Sequence, residues 1–296
     1  MTGPAGLLVV GDVVTDVIAR HHKPLAAATD TPARIRTLPG GAGANVACWA
    51  ARSGCADVRL LGRVGTDSAS WHERELRRAG VRPLLAPDPD APTASVIALV
   101  GPDAERTFLT DSGASLRLAP EDWSPALLDG VARVHLSGYL FFAGPSRATA
   151  VRVLRDARAA GVPVSVDPAS AGFLTELGTE RFLDAVDGAQ CLLPNADEAR
   201  LLTGRPSADE AAAALSHRFP LVAVTLGGEG AVLAVEGRVA ARVTAPPVRA
   251  VDSTGAGDAF TGAFLAALLT GATPTTAAGA GCRAGAEAVT KVGGRP

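Results

Sequence analysis

Short apolar runs recur along the chain, separated by longer stretches in which apolar positions return every three or four residues. The runs at 7–10, 58–61, 131–136, 162–166, 191–193 and 221–225 read as strands, and helical periodicity marks 45–53, 68–79, 147–160, 209–218 and 259–270. Uniformly apolar strands alternating with helices predict a parallel sheet covered on both faces. The expected class is α/β: a doubly wound, mostly parallel sheet flanked by helices, in a single domain spanning 1–296. Two regions break the alternation. Residues 15–20 and 34–38 read as strands around a polar connection, and 93–100 with 106–110 as a hairpin around Gly101-Pro102-Asp103. Strands inserted there predict a small separate sheet, a β lid drawn from 14–38 and 93–110. Another hairpin is expected at 230–235 and 238–244, turning at Glu236-Gly237.

Composition narrows the chemistry. The 28 basic and 30 acidic residues leave a net charge of −2, and no run of like charge invites nucleic acid. Lys23 and Lys291 are the only lysines, and no Gly-Lys-Ser/Thr phosphate loop is present. Cys48, Cys55, Cys191 and Cys282 lack metal-like or disulfide-framework spacing, in keeping with reduced thiols and a cytoplasmic location. The start, from Met1 to Gly6, lacks a basic n-region, so no signal peptide is expected, and no apolar stretch is long enough to span a membrane. The five histidines are scattered without paired spacing, and neither a GxGxxG nor a GxSxG motif occurs, which disfavours a structural metal, a dinucleotide oxidoreductase and a serine hydrolase.

The strongest chemical signal is Asp252-Ser-Thr-Gly-Ala-Gly-Asp258, between a strand-like run at 248–251 and an apolar helix beginning near Ala259. Gly255, Ala256 and Gly257 let the backbone bend so that N–H groups gather at a helix N-terminus and hold an anion. Asp258 beside that nest is placed to handle an attacking hydroxyl while the amides meet developing negative charge.

Continued through Ala259-Phe260, this segment resembles the C-terminal signature of ribokinase-like (PfkB) carbohydrate and nucleoside kinases. Pro39-Gly-Gly-Ala-Gly-Ala-Asn-Val-Ala47 is similar to that family's N-terminal signature, and the likeness runs from Leu7 to Pro296. The resemblance implies ATP-dependent phosphoryl transfer to an alcohol, usually a primary hydroxymethyl, with Asp258 as base and the Gly255–Asp258 amides as anion hole. It implies that Asp16, Gly40, Gly41 and Asn45 bind substrate hydroxyls. It places Asn195, Thr225, Gly227 and Gly230 at the nucleotide, and Cys282 at a helix position able to face the adenine. Glu198, in Asn195-Ala-Asp-Glu198, would organise Mg2+ through water, with Asp167 nearby. Asp252, with carbonyls near Thr254, Ala288 and Gly293, would hold a monovalent cation such as K+. Lid strands of relatives pair between subunits, so a homodimer is expected.

Departures bear on the acceptor. Ala42 stands where the signature often has Lys, and Gly138-Tyr139 where some ribokinases present Glu, so ribose itself is not supported. Aromatic residues make up only 4% of the chain and announce no base pocket. The expected acceptor is a sugar or sugar derivative, the alternative a nucleoside, and a non-catalytic ligand-binding protein on the same fold the remaining rival.

Overall fold

The structure is a computed structural model and describes residues 5–101 and 106–296. The chain opens with β1 (Gly6–Val10), β2 (Val14–His21), β3 (Ala33–Gly40), α1 (Ala42–Arg52), β4 (Val58–Gly65), α2 (Ala69–Arg78) and β5 (Val81–Asp88). There follow β6 (Ala94–Val100), β7 (Arg106–Asp111), β8 (Val131–Ser137), α3 (Gly144–Ala159), β9 (Val164–Asp167), α4 (Ala171–Leu177), α5 (Thr179–Ala185) and β10 (Cys191–Leu192). The last part holds α6 (Ala196–Thr203), α7 (Ala208–Leu215), β11 (Leu221–Thr225), β12 (Ala231–Val235), β13 (Arg238–Val243), α8 (Ala256–Leu269) and α9 (Pro274–Ala288).

Nine strands form the main sheet in the order β13-β12-β11-β10-β9-β8-β1-β4-β5, with every neighbouring pair parallel except β11–β12 and β12–β13, which are antiparallel. β1 shows why the sheet is covered twice. Leu8 and Val10 enter one core with α3, α6 and α7, while Leu7 and Val9 enter another with α1, α8 and α9. From β1 the chain builds outward through β4 and β5, then returns to place β8 on the other side of β1. That reversal opens a crevice beyond the carboxyl ends of β1 and β8, where open α/β sheets bind ligands. The second sheet has the order β3-β2-β6-β7.

Besides α4 and α5, which the sequence reading does not contain, three segments depart from the sequence expectation for a local physical reason. β5 was not foreseen, because Pro83 and Pro87 argue against a strand; it pairs only with β4, and an edge strand tolerates proline. α9 carries Gly279, Gly281 and Gly285, which hide its periodicity, yet Thr273 accepts a capping bond from the Thr276 amide and Pro274 starts the first turn. The strand expected at 248–251 is absent: this stretch has no strand partner, and Val248 and Val251 are exposed. Of the turn expected at 101–103, Pro102 and Asp103 lie outside the described residues, as do Met1 to Pro4 at the amino end. Among the described residues no helix is long and apolar enough to cross a membrane.

Candidate active site

A cleft of about 520 Å³ lies in the β1/β8 crevice and is lined by both sheets. Its floor is the start of α8. Gly255, the N-cap, adopts the left-handed φ of 74°. Gly257 and Asp258 occupy the second and third helical positions, whose N–H groups have no intrahelical acceptor. Gly257 borders open space, so an anionic group can approach these amides. The Ala256 N–H is already engaged, donating to the Ser253 carbonyl at 3.3 Å.

Asp258 is held from the opposite signature: Asn45 Nδ2 donates to its Oδ2 at 2.8 Å. The two meet because α1 and α8 pack with almost no separation. A Cβ on Gly262 of α8 would lie 2.5 Å from the Val46 carbonyl and 2.8 Å from the Ala50 amide of α1, so only glycine permits the approach. Burial pushes Asp258 well above the usual carboxylate range, and the negative charges of Asp167, Asp12 and Asp16 push the same way, against the Asn45 bond. A cation bound nearby would restore the ionised form that a base requires.

Asp16 projects from β2 over Gly40, and burial raises it to about 6 although Arg295 draws it down. Gly41 caps α1 with φ 95° and lines the cleft beside Asn45. One organiser was missed in the sequence. Asp12, in the same Gly11–Asp16 segment, accepts from the Ala42 amide at 2.7 Å, the Gly43 amide at 3.1 Å and the Ser137 hydroxyl at 2.8 Å. It thereby ties β1, β8 and the N-terminus of α1 together, with most of its acceptor capacity used within the protein. The signal was present, an acid directly after the first strand, but the second acid drew the assignment.

At the other end of the cleft, Asn195 and Glu198 form a reciprocal cap on α6, each side chain accepting from the other's amide at 2.9 Å. Asn195 bridges to Thr225, and both also line an adjoining cleft of about 460 Å³ with Gly227, Arg200 and Arg242. Gly230 lines neither cleft; its α-carbon faces the Val243 carbonyl, a close backbone approach within the β12–β13 hairpin. Cys282 is a core residue of α9 and also stands outside both clefts. Asp252 is buried, with its carboxylate accepting from the Thr254 amide at 2.8 Å and the Gly293 amide at 3.1 Å.

Glu198 and Asp167 face each other across the cleft end. Burial and then the Asp167 charge raise Glu198 to about 8, and burial raises Asp167 to about 6. Two carboxylates held at such cost are a donor set suited to a hard cation, and among the described residues no third carboxylate, His or Cys joins them to make a full cage. That fits a magnesium ion that keeps its waters and takes its remaining oxygens from phosphate. The sign of the linkage follows. A carboxyl whose folded pKa exceeds its unfolded value stabilises the fold at low pH and loses that contribution as pH rises through the folded value. Without ligands, the free energy of unfolding should therefore fall as pH rises through and above neutrality, and Glu198→Gln should make that fall shallower. Urea titrations at several pH values measure this; equal slopes in the two proteins would contradict it.

Two further features carried no local signal. The tail past α9 runs beneath the start of α1: Gly294 accepts at its carbonyl from Trp49 Nε1 at 2.9 Å, and Arg295 Nη2 donates to the Gly40 carbonyl at 3.1 Å. The cleft also has an aromatic wall, in which Phe142 and Phe173 stack at 5.0 Å with Tyr139 edge-on to both, and Phe108 of β7 lines the second sheet's side.

Comparison with known proteins agrees with this geometry. The sequence model of the family described as pfkB family carbohydrate kinase matches residues 5–296. A fructokinase of Klebsiella pneumoniae is 32% identical over 271 residues, 88% of this chain and 83% of that protein. An adenosine kinase structure from Sinorhizobium meliloti superposes with a TM-score of 0.89 at 24% identity, covering 99% of this chain and 96% of that one. A putative ribokinase II of E. coli in complex with ATP and Mg2+ superposes with a TM-score of 0.86 at 22% identity, covering 97% and 94%. With both signatures meeting at Asp258 and the family matched along almost its whole length, the chain belongs to the PfkB carbohydrate kinases, phosphotransferases that act on an alcohol group.

Proposed function

We propose that this kinase transfers the γ-phosphate of ATP to a hydroxyl, typically a primary hydroxymethyl, of a sugar or sugar derivative or of a nucleoside. The observation that carries the reading is Asp258, fixed by Asn45 at 2.8 Å on the first turn of α8, in one cleft with Asn195, Glu198 and Thr225. Asp258 accepts the hydroxyl proton as the new oxygen–phosphorus bond forms. The bond from the γ-phosphorus to the bridging oxygen breaks, and ADP leaves with its electron pair. The Gly257 and Asp258 amides and the α8 dipole face the charge on the transferred group. Positioning and electrostatics supply most of the acceleration in such transfers. Glu198 and Asp167 would hold Mg2+ through water, and the ion would neutralise phosphate charge. The four-stranded sheet serves as a lid, since Val14, Asp16, Val96, Phe108 and Thr110 on one of its faces line the cleft. Asp252, with the carbonyls near Thr254, Ala288 and Gly293, would hold a monovalent cation such as K+, which would supply positive charge beside the anion-binding turn. The test is ADP release coupled to a spectrophotometric readout, with mass spectrometry showing one phosphate added to the acceptor; transfer that persists without ATP or with Mg2+ chelated would refute the proposal.

The same reading places the enzyme in the cytosol, in keeping with four unpaired buried cysteines. It also makes the enzyme a homodimer joined through the outer lid face. Ile97 sits opposite Leu109 on that face, and Ile35, Ile97 and Leu109 are all exposed. Ile97→Glu with Leu109→Lys should convert a dimer to a monomer in sedimentation velocity; an unchanged sedimentation coefficient would rule out this interface.

A further inference from the structure

The cleft has a polar side and an aromatic side. On the polar side, Asp258, Asp16 and Asn45 Oδ1, the last buried and without a partner among the described residues, are placed for acceptor hydroxyls, while Asp12 already accepts from Ala42, Gly43 and Ser137. Facing them are rings. Phe142 and Phe173 stack at 5.0 Å, Tyr139 meets their edges at 6.1 and 5.9 Å, and Phe108 stands 53% exposed on the lid strand. A sugar offers such a wall only the C–H patch on one face of its ring, a smaller apolar area than an aromatic base presents. A flat heterocycle instead gains dispersion and stacking there.

Resting on the kinase reading above, we infer that the acceptor is a nucleoside. Its ribofuranosyl unit presents three hydroxyls to this polar side: the 5′-hydroxyl to Asp258, the vicinal pair to Asp16 and Asn45. Its base lies against Tyr139, Phe142 and Phe173, with Phe108 closing over it. The proton of the 5′-hydroxyl passes to Asp258, the 5′-oxygen takes the γ-phosphoryl group, and ADP departs. The low aromatic content had pointed to sugars, because a count over the whole chain does not see that these four rings converge.

The test uses the full chain with ATP and Mg2+. Uridine, cytidine, pseudouridine, inosine and adenosine are compared with fructose, ribose and 2-keto-3-deoxygluconate by calorimetry and by ADP release. At least one nucleoside should exceed every free sugar in kcat/KM by about a hundredfold. Phe173→Ala should raise that nucleoside's KM by about tenfold or more, and Phe173→Tyr should restore it. Phosphorylation of a free sugar as efficient as that of any nucleoside overturns the inference and leaves the kinase reading intact. Nucleoside binding without phosphoryl transfer to any acceptor overturns the kinase reading, and the inference with it. Failure of every nucleoside to bind the wild-type chain overturns the inference whatever else is phosphorylated.

Discussion

Asp258→Asn should lower kcat by about 10²- to 10⁴-fold, the range expected on removing a positioned proton acceptor. The substitution is nearly isosteric, and the amide oxygen at position 258 can still accept from Asn45 Nδ2, so the α1–α8 contact survives. The Gly257 and Asp258 amides belong to the backbone and are untouched, so the KM for ATP should hold. Stability should hold or rise, because burial already pushes this carboxyl well above the usual range and the neutral amide relieves that burden. The loss should therefore fall on kcat alone, in single-turnover kinetics as in the steady state. Turnover near the wild-type rate would remove Asp258 from the mechanism.

Gly294→Ala should act on the same carboxylate from the tail. A Cβ at this position would collide with Asn45 Nδ2, the atom that holds Asp258, and the Gly255 α-carbon packs against Gly294 from the other side. The backbone at 294 is not among the positive-φ glycines, so alanine meets no conformational penalty and the effect is one of crowding. Asn45 has to turn away, and Asp258 loses its only side-chain donor among the described residues. A fall in kcat of about 10- to 100-fold is expected, since a misplacement near 1 Å in such sites costs that much. A destabilised tail would also lower activity, so the decisive measurement is a double-mutant cycle. Asn45→Ala should give a similar loss, and the double variant should lose little more than either single one. Losses that multiply would show that Gly294 does not act through Asn45.

The parts of the site legible in the sequence lie within single segments. Gly255-Ala-Gly-Asp258 announces a helix N-terminus with an acid on its first turn, and Asn195-Ala-Asp-Glu198 announces a capping box, since both depend on spacings of a few residues. Asp12 and Asp16 lie in one short segment too, yet their roles could not be separated there. One oxygen pair is consumed by amides and a hydroxyl that arrive from residues 42, 43 and 137, and the other faces the cleft.

By itself, then, the sequence determined the α/β class and the phosphoryl-transfer chemistry. Strand and helix periods and short signatures are local, and local order survives without knowledge of what packs where. The tertiary structure alone decided which groups converge. It turned Gly230 and Cys282 to the core, accepted β5 at an edge despite its prolines, and drew the tail beneath Asn45. It also gathered Tyr139 and Phe142 after β8, Phe173 on α4 and Phe108 on β7 around one cleft. Contacts between residues tens to hundreds of positions apart are set by the strand order and by the close approach of α1 to α8, and neither leaves a mark on the local pattern.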